Sequence, residues 1–307
     1  MKKLPGQGGI TKKIATSIGM FNREKFLKQV ESNLANLIVK INPKKAIAIE
    51  VASFSSCNDF AEQMLSIISF LRYVGTPVKW TVYSDGSHTQ SQKDCLLNNF
   101  NFVAISSMDF TELNSIEHLC KEQIKPYHEY ILHYGKKLAL GRRLYYYLHH
   151  KVELPTLFID SDILFYDKAN SFDIILSENP KPDGWYMPDA IWGCLDSRYK
   201  EKYSEQFYQV NAGFMLLNKD FDIVKNGLDF FKTIDYNYEY FSDQTIFQII
   251  LKDNAFMPLT PKTFILDSED QFDFSYLYKP KQMAVRHYTG PVRHKMWQKD
   301  YKWHLGL

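Results

Sequence analysis

Apolar positions along the chain follow two rhythms. Over 22–41 they fall at Phe26, Val30, Leu34, Leu37 and Ile41, the spacing of one helical face, with Pro43 beyond it. Before that helix, 1–18 carries glycines and lysines without periodicity and reads as a loose arm. A short apolar run at 46–52 predicts a strand, 60–73 a helix stopped by Gly75-Thr76-Pro77, and 78–83 a second strand. Ser84-Asp85-Gly86-Ser87 has the composition of a turn. The alternation continues with a helix over 89–98, a strand over 102–105 and a helix over 136–149. That helix leads into 156–166, an apolar run behind Pro155. Further on, a strand follows Asn211-Ala212-Gly213, a helix covers 221–233, and another opens at Asp243 with Ser242 as its N-cap. Strands alternating with helices predict an α/β domain whose mostly parallel sheet has helices on both faces. Residues 1–43 form an arm and helix, 44–307 one domain, and 283–307 its tail.

Composition narrows the class. The 307 residues are 45% hydrophobic and 15% aromatic, ample for a full core. A net charge of +2 gives no argument for a nucleic-acid partner. Cys57, Cys95, Cys120 and Cys194 are scattered, as in the reduced thiols of a cytoplasmic protein rather than a disulfide frame or zinc site. No apolar core of a signal peptide follows Met1-Lys2-Lys3, and no uncharged stretch has the length of a membrane span. The expectation is a soluble, cytoplasmic protein. Near the end, Lys299, Tyr301, Lys302, Trp303 and His304 interleave cations with aromatics. That pattern suits weak peripheral contact with the anionic inner membrane face, and equally a solvated end with buried Trp rings.

The chemistry starts at Asp160 and Asp162. On a strand, alternation points both carboxylates to one side and Ser161 away. Two such carboxylates repel, and Mn²⁺ or Mg²⁺ would remove that cost while leaving coordination places for phosphate oxygens. Two solvated aspartates at a strand end explain the stretch alone equally well. Ligands in such sheets sit at the carboxyl ends of strands, where Asp85 and the Asp160/Asp162 pair both lie, and this favours a site. Asn211 offers a donor and an acceptor, and Gly213 permits close approach. Asp243 alone reads as a complement to its helix dipole. His287, Gly290, Arg293 and Lys295 can complete a metal site and hold a diphosphate, or form a basic surface segment. Residues 183–203, with Trp185, Tyr186, Trp192 and Tyr199, offer a platform for stacking a sugar or else core; Asp189 and Asp196 there have no assigned role.

Five pieces occur in order: Arg143-Leu144, Asp160-Ser161-Asp162, Asn211-Ala212-Gly213, Asp243-Gln244, and His287 with Gly290 three residues on. In order and spacing, over 46–297, the chain resembles the family-8 retaining glycosyltransferases, the group of glycogenin and the bacterial lipopolysaccharide galactosyltransferases. The resemblance implies the GT-A fold, a nucleotide-sugar donor (most often a UDP-hexose), and Mn²⁺ or Mg²⁺. It assigns Asp160, Asp162 and His287 to the metal, and Gly290 and Lys295 to the diphosphate. Ser161 and Gly213 fall in the donor site, where Arg143, Asn211 and Asp243 hydrogen-bond the sugar. Gln244 falls near the anomeric carbon, so Asp243, Gln244 and Asn211 are the catalytic candidates. Asp85 is a nucleoside contact by its strand-end position. Two departures stand out: Arg293 occupies the family's usual lysine place with Lys295 two residues later, and the first strand reads Glu50-Val51-Ala52-Ser53. The implied reaction moves a hexose to a hydroxyl of a glycan, lipid-linked or protein acceptor with retention. Two other readings remain: a haloacid-dehalogenase-type phosphatase with Asp160 as nucleophile, and a carbohydrate-binding protein of transferase shape without turnover.

Overall fold

The structure, a computed structural model, describes residues 9–110, 121–177, 181–189, 194–199, 208–272 and 274–306. Its centre is a seven-stranded sheet built from β1 (Ala46–Ser55), β2 (Thr76–Ser84), β3 (Val103–Ser107), β4 (Thr156–Asp160), β6 (Gly184–Pro188), β7 (Val210–Leu217) and β8 (Phe256–Pro258), in the order β3-β2-β1-β4-β7-β6-β8. The first four strands are mutually parallel, and β7 runs antiparallel to both of its neighbours. A small second sheet joins β5 (Ile163–Phe165), β10 (Val285–His287) and β9 (Phe264–Ile265). Side chains on β4 alternate between the two faces: Leu157 and Ile159 enter one apolar cluster, Phe158 the other.

Helices cover both faces, as the sequence predicts. On one face lie α1 (Ile10–Ile41) and α2 (Phe60–Tyr73), and on the other α4 (His128–Lys137), α5 (Ala139–His149), α7 (Lys225–Ile234) and α8 (Ser242–Asp253). α3 (Gln90–Asn99) starts from a capping box in which Thr89 and Gln92 bond reciprocally, and α6 is Phe172–Ser177. The terminal segment runs as a short helix, Arg293–Lys295, a π-turn, Met296–Asp300, and a last helix, Tyr301–Leu305. It packs beside α1 and α2, and Trp297 Nε1 donates to Glu62 Oε1 at 2.8 Å.

Several elements differ from expectation. α1 begins at Ile10, within the stretch read as an arm, and is kinked at Asn33. Tertiary docking explains the extension: Ala15 and Gly19 are buried, and Gly19 sits so close that a Cβ would lie 2.7 Å from the His294 carbonyl oxygen. The helix expected over 136–149 is two, because Leu138 is extended (φ −138, ψ 144) and turns the chain between α4 and α5. α7 starts at Lys225, and β7 includes Asn211 rather than following it. β4 ends at Asp160; the chain turns at Ser161 and Asp162 and enters the second sheet. The two aspartates are therefore neighbours across a turn, not residues two apart on one strand. Trp297 and Tyr301 point inward while Lys299 and Lys302 are exposed, the solvated-end reading of the C-terminus.

Candidate active site

A cavity of about 540 Å³ opens where β4 ends. Seven carboxylates and two guanidiniums line it, among them Asp59, Asp160, Asp162, Asp243, Arg143 and Arg293. Asp160 closes β4, Ser161 and Asp162 form the turn, and β10 brings His287 level with Ile163. Tyr288 N donates to Asp162 O at 2.9 Å, which ties the turn to the strand carrying the histidine. His287 Nε2 lies 3.1 Å from Asp162 Oδ1 and 3.7 Å from Asp160 Oδ2. One ligand atom from each of the three residues falls within 4.8 Å of the others.

The other ring nitrogen fixes how that histidine is presented. His287 Nδ1 is 3.0 Å from Asn211 Oδ1, an atom that can only accept, so Nδ1 carries a proton and Nε2, on the carboxylate side, is the nitrogen left to ligate a cation. Asn211 reaches this place because β7 is irregular: its pairing with β6 jumps from Tyr186↔Met215 to Met187↔Asn211. Inside that bulge, Gly213 N donates to Asn211 Oδ1. A Cβ on Gly213 would lie 2.5 Å from His287 Cε1 and 2.6 Å from Asp160 Oδ2, so only glycine leaves the space between the ligand atoms open.

Two arginines hold the carboxylates. Arg143, in the second turn of α5, donates from Nη1 to both Asp160 oxygens (2.8 and 2.9 Å) and from Nε to Asp243 Oδ2 at 3.0 Å, with Nη2 on the same Asp243 oxygen. Asp243 thus pairs with a guanidinium rather than capping α8, whose N-cap is Phe241. Ser242, expected as that cap, donates instead to Asp196 at 2.6 Å. Arg293 donates from Nη2 to Asp162 Oδ2 at 2.6 Å and from Nη1 to Asp59 Oδ1 at 2.9 Å, so Asp162 gives one oxygen to Arg293 and turns the other toward His287. Burial alone would push Asp162 up, but His287 and Arg293 hold it well below the usual carboxylate range. Burial would lower His287, yet Asp162 and Asp160 keep it above its ordinary value. Burial raises Asp243 despite Arg143. Four carboxylates here meet two guanidiniums, an excess of two negative charges beside an oxygen and imidazole donor set. Those donors and that charge fit a divalent cation such as Mn²⁺ or Mg²⁺.

The remaining expected residues divide. Ser161, Asn211, Gly213, Gln244, Gly290 and Arg293 line the cavity. Gln244 Nε2 donates to Cys194 O at 2.7 Å and lies 3.3 Å from Asp189 Oδ2. Lys295, expected on a diphosphate, is fully buried outside the lining, with Nζ on Ser275 O at 2.8 Å and over the Tyr276 ring. Two residues two apart on a helix point about 200° away from each other, so Arg293 and Lys295 cannot share a face. Asp85 also stands outside the lining; its Oδ1 accepts from Ser87 N in its own turn. Trp185 and Tyr186 are buried β6 core and Tyr199 packs on Phe230, while Trp192 lies outside the described residues. Asp196 is buried against Arg198. Asp160 has both oxygens on Arg143 at the end of the fourth strand, a poor arrangement for the phosphatase nucleophile. Sequence reading missed Asp59, the second anchor of Arg293, and the rim formed by Tyr240, Phe241 and 266–269. Nothing in a turn-like Ser-Cys-Asn-Asp stretch marks Asp59 as a site residue.

No family model matches the chain, and no curated protein is similar to it. Solved structures are similar in fold. The galactosyltransferase LgtC, in a complex with donor and acceptor sugar analogs, superposes with a TM-score of 0.52 at 12% identity, covering 84% of this chain and 95% of LgtC. The bifunctional glycosyltransferase WbbM gives 0.52 at 13% identity, covering 84% of this chain and 51% of WbbM. The chain has the GT-A fold of these enzymes. Among the described residues, no helix is long and apolar enough to cross a membrane.

Proposed function

We propose that the protein is a metal-dependent glycosyltransferase that moves a hexose from a nucleotide-diphosphate sugar, a UDP-hexose first among candidates, to an acceptor hydroxyl with retention. The observation that carries the reading is the Asp160–Asp162–His287 cluster, in a cavity with Arg293 at one side and Arg143, Asp243 and Gln244 at the other. Asp160, Asp162 and His287 would hold Mn²⁺ or Mg²⁺, which supplies charge neutralisation for the leaving diphosphate. Asn211 keeps His287 in the ligating tautomer. Arg293 adds a fixed positive group beside the same carboxylates, suited to phosphate oxygens. Gly290, at the lining, lets backbone approach the diphosphate closely.

At the far wall, Arg143 orients Asp160 and Asp243 together. An Asp243 oxygen that accepts two guanidinium hydrogen bonds is a weakened nucleophile. This supports attack by the acceptor hydroxyl on the leaving-group face over a covalent intermediate on Asp243. Gln244, through its carboxamide, and Asn211 would then be the polar groups offered to the donor sugar.

The test is incubation with UDP-, GDP-, CDP- and ADP-sugars with and without Mn²⁺, scoring release of nucleoside diphosphate and transfer to simple sugar acceptors. The reading expects metal-dependent release from one nucleotide family. Nucleotide binding with no turnover across the panel and a broad acceptor set would leave a carbohydrate-binding protein of transferase shape. Hydrolysis of a generic phosphomonoester without sugar transfer would point to the phosphatase.

A further inference from the structure

The first half of α1 has an inverted surface. Its inner face, with Ala15, Gly19, Phe26 and Val30 buried, packs against the terminal segment and the core. The outward face of a surface helix is normally polar. Here Ile10, Ile14, Ile18 and Phe21 occupy it, exposed at 77%, 49%, 42% and 71%. At about 100° per residue these four fall within an arc of about 80°, whose centre is turned about 130° from that of the docked face. Water therefore meets a continuous apolar stripe about three turns long, which costs free energy unless something covers it.

The charges around the stripe indicate what that is. Lys13, beside it, and Lys25 and Lys28, further along the same face, are exposed. The chain carries no acidic residue before Glu24, and four lysines (Lys2, Lys3, Lys12, Lys13). Glu24 itself has Arg23 Nη1 at 3.9 Å. A second copy of the chain brought across a twofold axis would set this lysine-flanked stripe against its own like charge. An anionic bilayer surface instead offers acyl chains to the isoleucines and phenylalanine and phosphates to the lysines.

We propose that residues 10–21 of α1 are a membrane-docking element that lays its Ile10–Ile14–Ile18–Phe21 face on an anionic lipid surface. This is separate from the C-terminal segment, whose Trp297 and Tyr301 rings are buried. It is also independent of the transferase reading, since binding to lipid is measured without turnover. On its inner face the same helix reaches the segment that follows rim residues 266–269, with Lys12 Nζ 2.7 Å from Gln271 Oε1.

The test is cosedimentation of the full-length protein with vesicles of pure phosphatidylcholine and vesicles containing phosphatidylglycerol. The expected result is binding to the anionic vesicles only, weakened at high salt. Ile14→Ser with Phe21→Ser should lower that partitioning at least tenfold while leaving the circular dichroism spectrum and Tm unchanged, because both side chains are exposed. Val78→Ser, which removes an exposed apolar residue on β2, should leave it intact. Absence of vesicle binding would overturn the proposal, as would full binding by the double variant. Self-association of the wild type, abolished by the double variant and without vesicle binding, would also overturn it and make the face a contact between copies.

Discussion

At the residue scale the site depends on single atoms. Asp162 divides its two oxygens between Arg293 and His287. In Asp162→Asn the charge is gone and one position becomes a donor, so Mn²⁺ affinity is expected to fall by about 100-fold or more. Arg293 keeps Asp59, so the variant should fold with a wild-type circular dichroism spectrum. Metal titration by calorimetry checks this, and unchanged affinity in a folded variant would remove Asp162 from the metal. Gly213→Ala is predicted to be nearly as damaging, because its methyl would enter the gap between His287 and Asp160. The expected cost is about 1–3 kcal/mol in stability and about 10–100-fold in Mn²⁺ affinity, read by thermal melts and the same titration. Most of these residues were legible in the sequence because their chemistry is unusual at a strand end: paired aspartates, Asn-Ala-Gly, a His with a nearby Gly. Which of Arg293 and Lys295, both candidates in the sequence, turns toward the cavity was not, because only the helical path of 293–295 shows it.

At the element scale, periodicity found β1 to β4, β7 and the longer helices, but not the short β6, β8, β9, β10 and α6, nor the places where tertiary contacts decide. The Asp160–Ser161–Asp162 run looked like one strand since its flanks are apolar on both sides; those flanks serve two different sheets. The break at Leu138 lies inside a sequence with no proline, between Gly135 and Gly141, where α5 approaches α4 so closely that a Cβ on Gly141 would lie 2.5 Å from the Tyr134 carbonyl oxygen. The stretch before Ile18 looked structureless because its glycines and lysines hide a helix face that matters only when docked. That docking is testable. Gly19→Val puts side-chain atoms against the His294 carbonyl and should cost about 1–3 kcal/mol in a denaturant titration. An unchanged midpoint would mean that α1 does not rest on the terminal segment as described.

At the scale of the whole molecule, burial of histidines sets the response to acid. Burial lowers His304 to about 3 and His149, His150 and His294 to about 4, and it lowers His88 as well. Each is neutral when folded and protonated when unfolded below its ordinary pKa near 6.5. The stabilisation from keeping them neutral is full above that pH and is lost as pH falls through 6.5 toward 4. Asp300, raised by burial to about 6, acts in the opposite sense over part of that window, as do the raised Asp59 and Asp243, but five histidines outnumber them. Unfolding free energy should therefore rise with pH between about 4 and 6.5, by about 1.4 kcal/mol per pH unit for each net proton. Denaturant titrations across that range check it, and a flat or falling profile would mean that these rings are hydrated in solution.

The central claim is that the cavity binds a nucleoside diphosphate through a divalent cation held by Asp160, Asp162 and His287. Calorimetric titration of UDP, with GDP, CDP and ADP as comparisons, in the presence and absence of Mn²⁺, tests it most directly. One nucleotide should bind with Mn²⁺ and at least about tenfold more weakly without it. Well-folded protein that binds none of the four, or binds one equally well without metal, would contradict it.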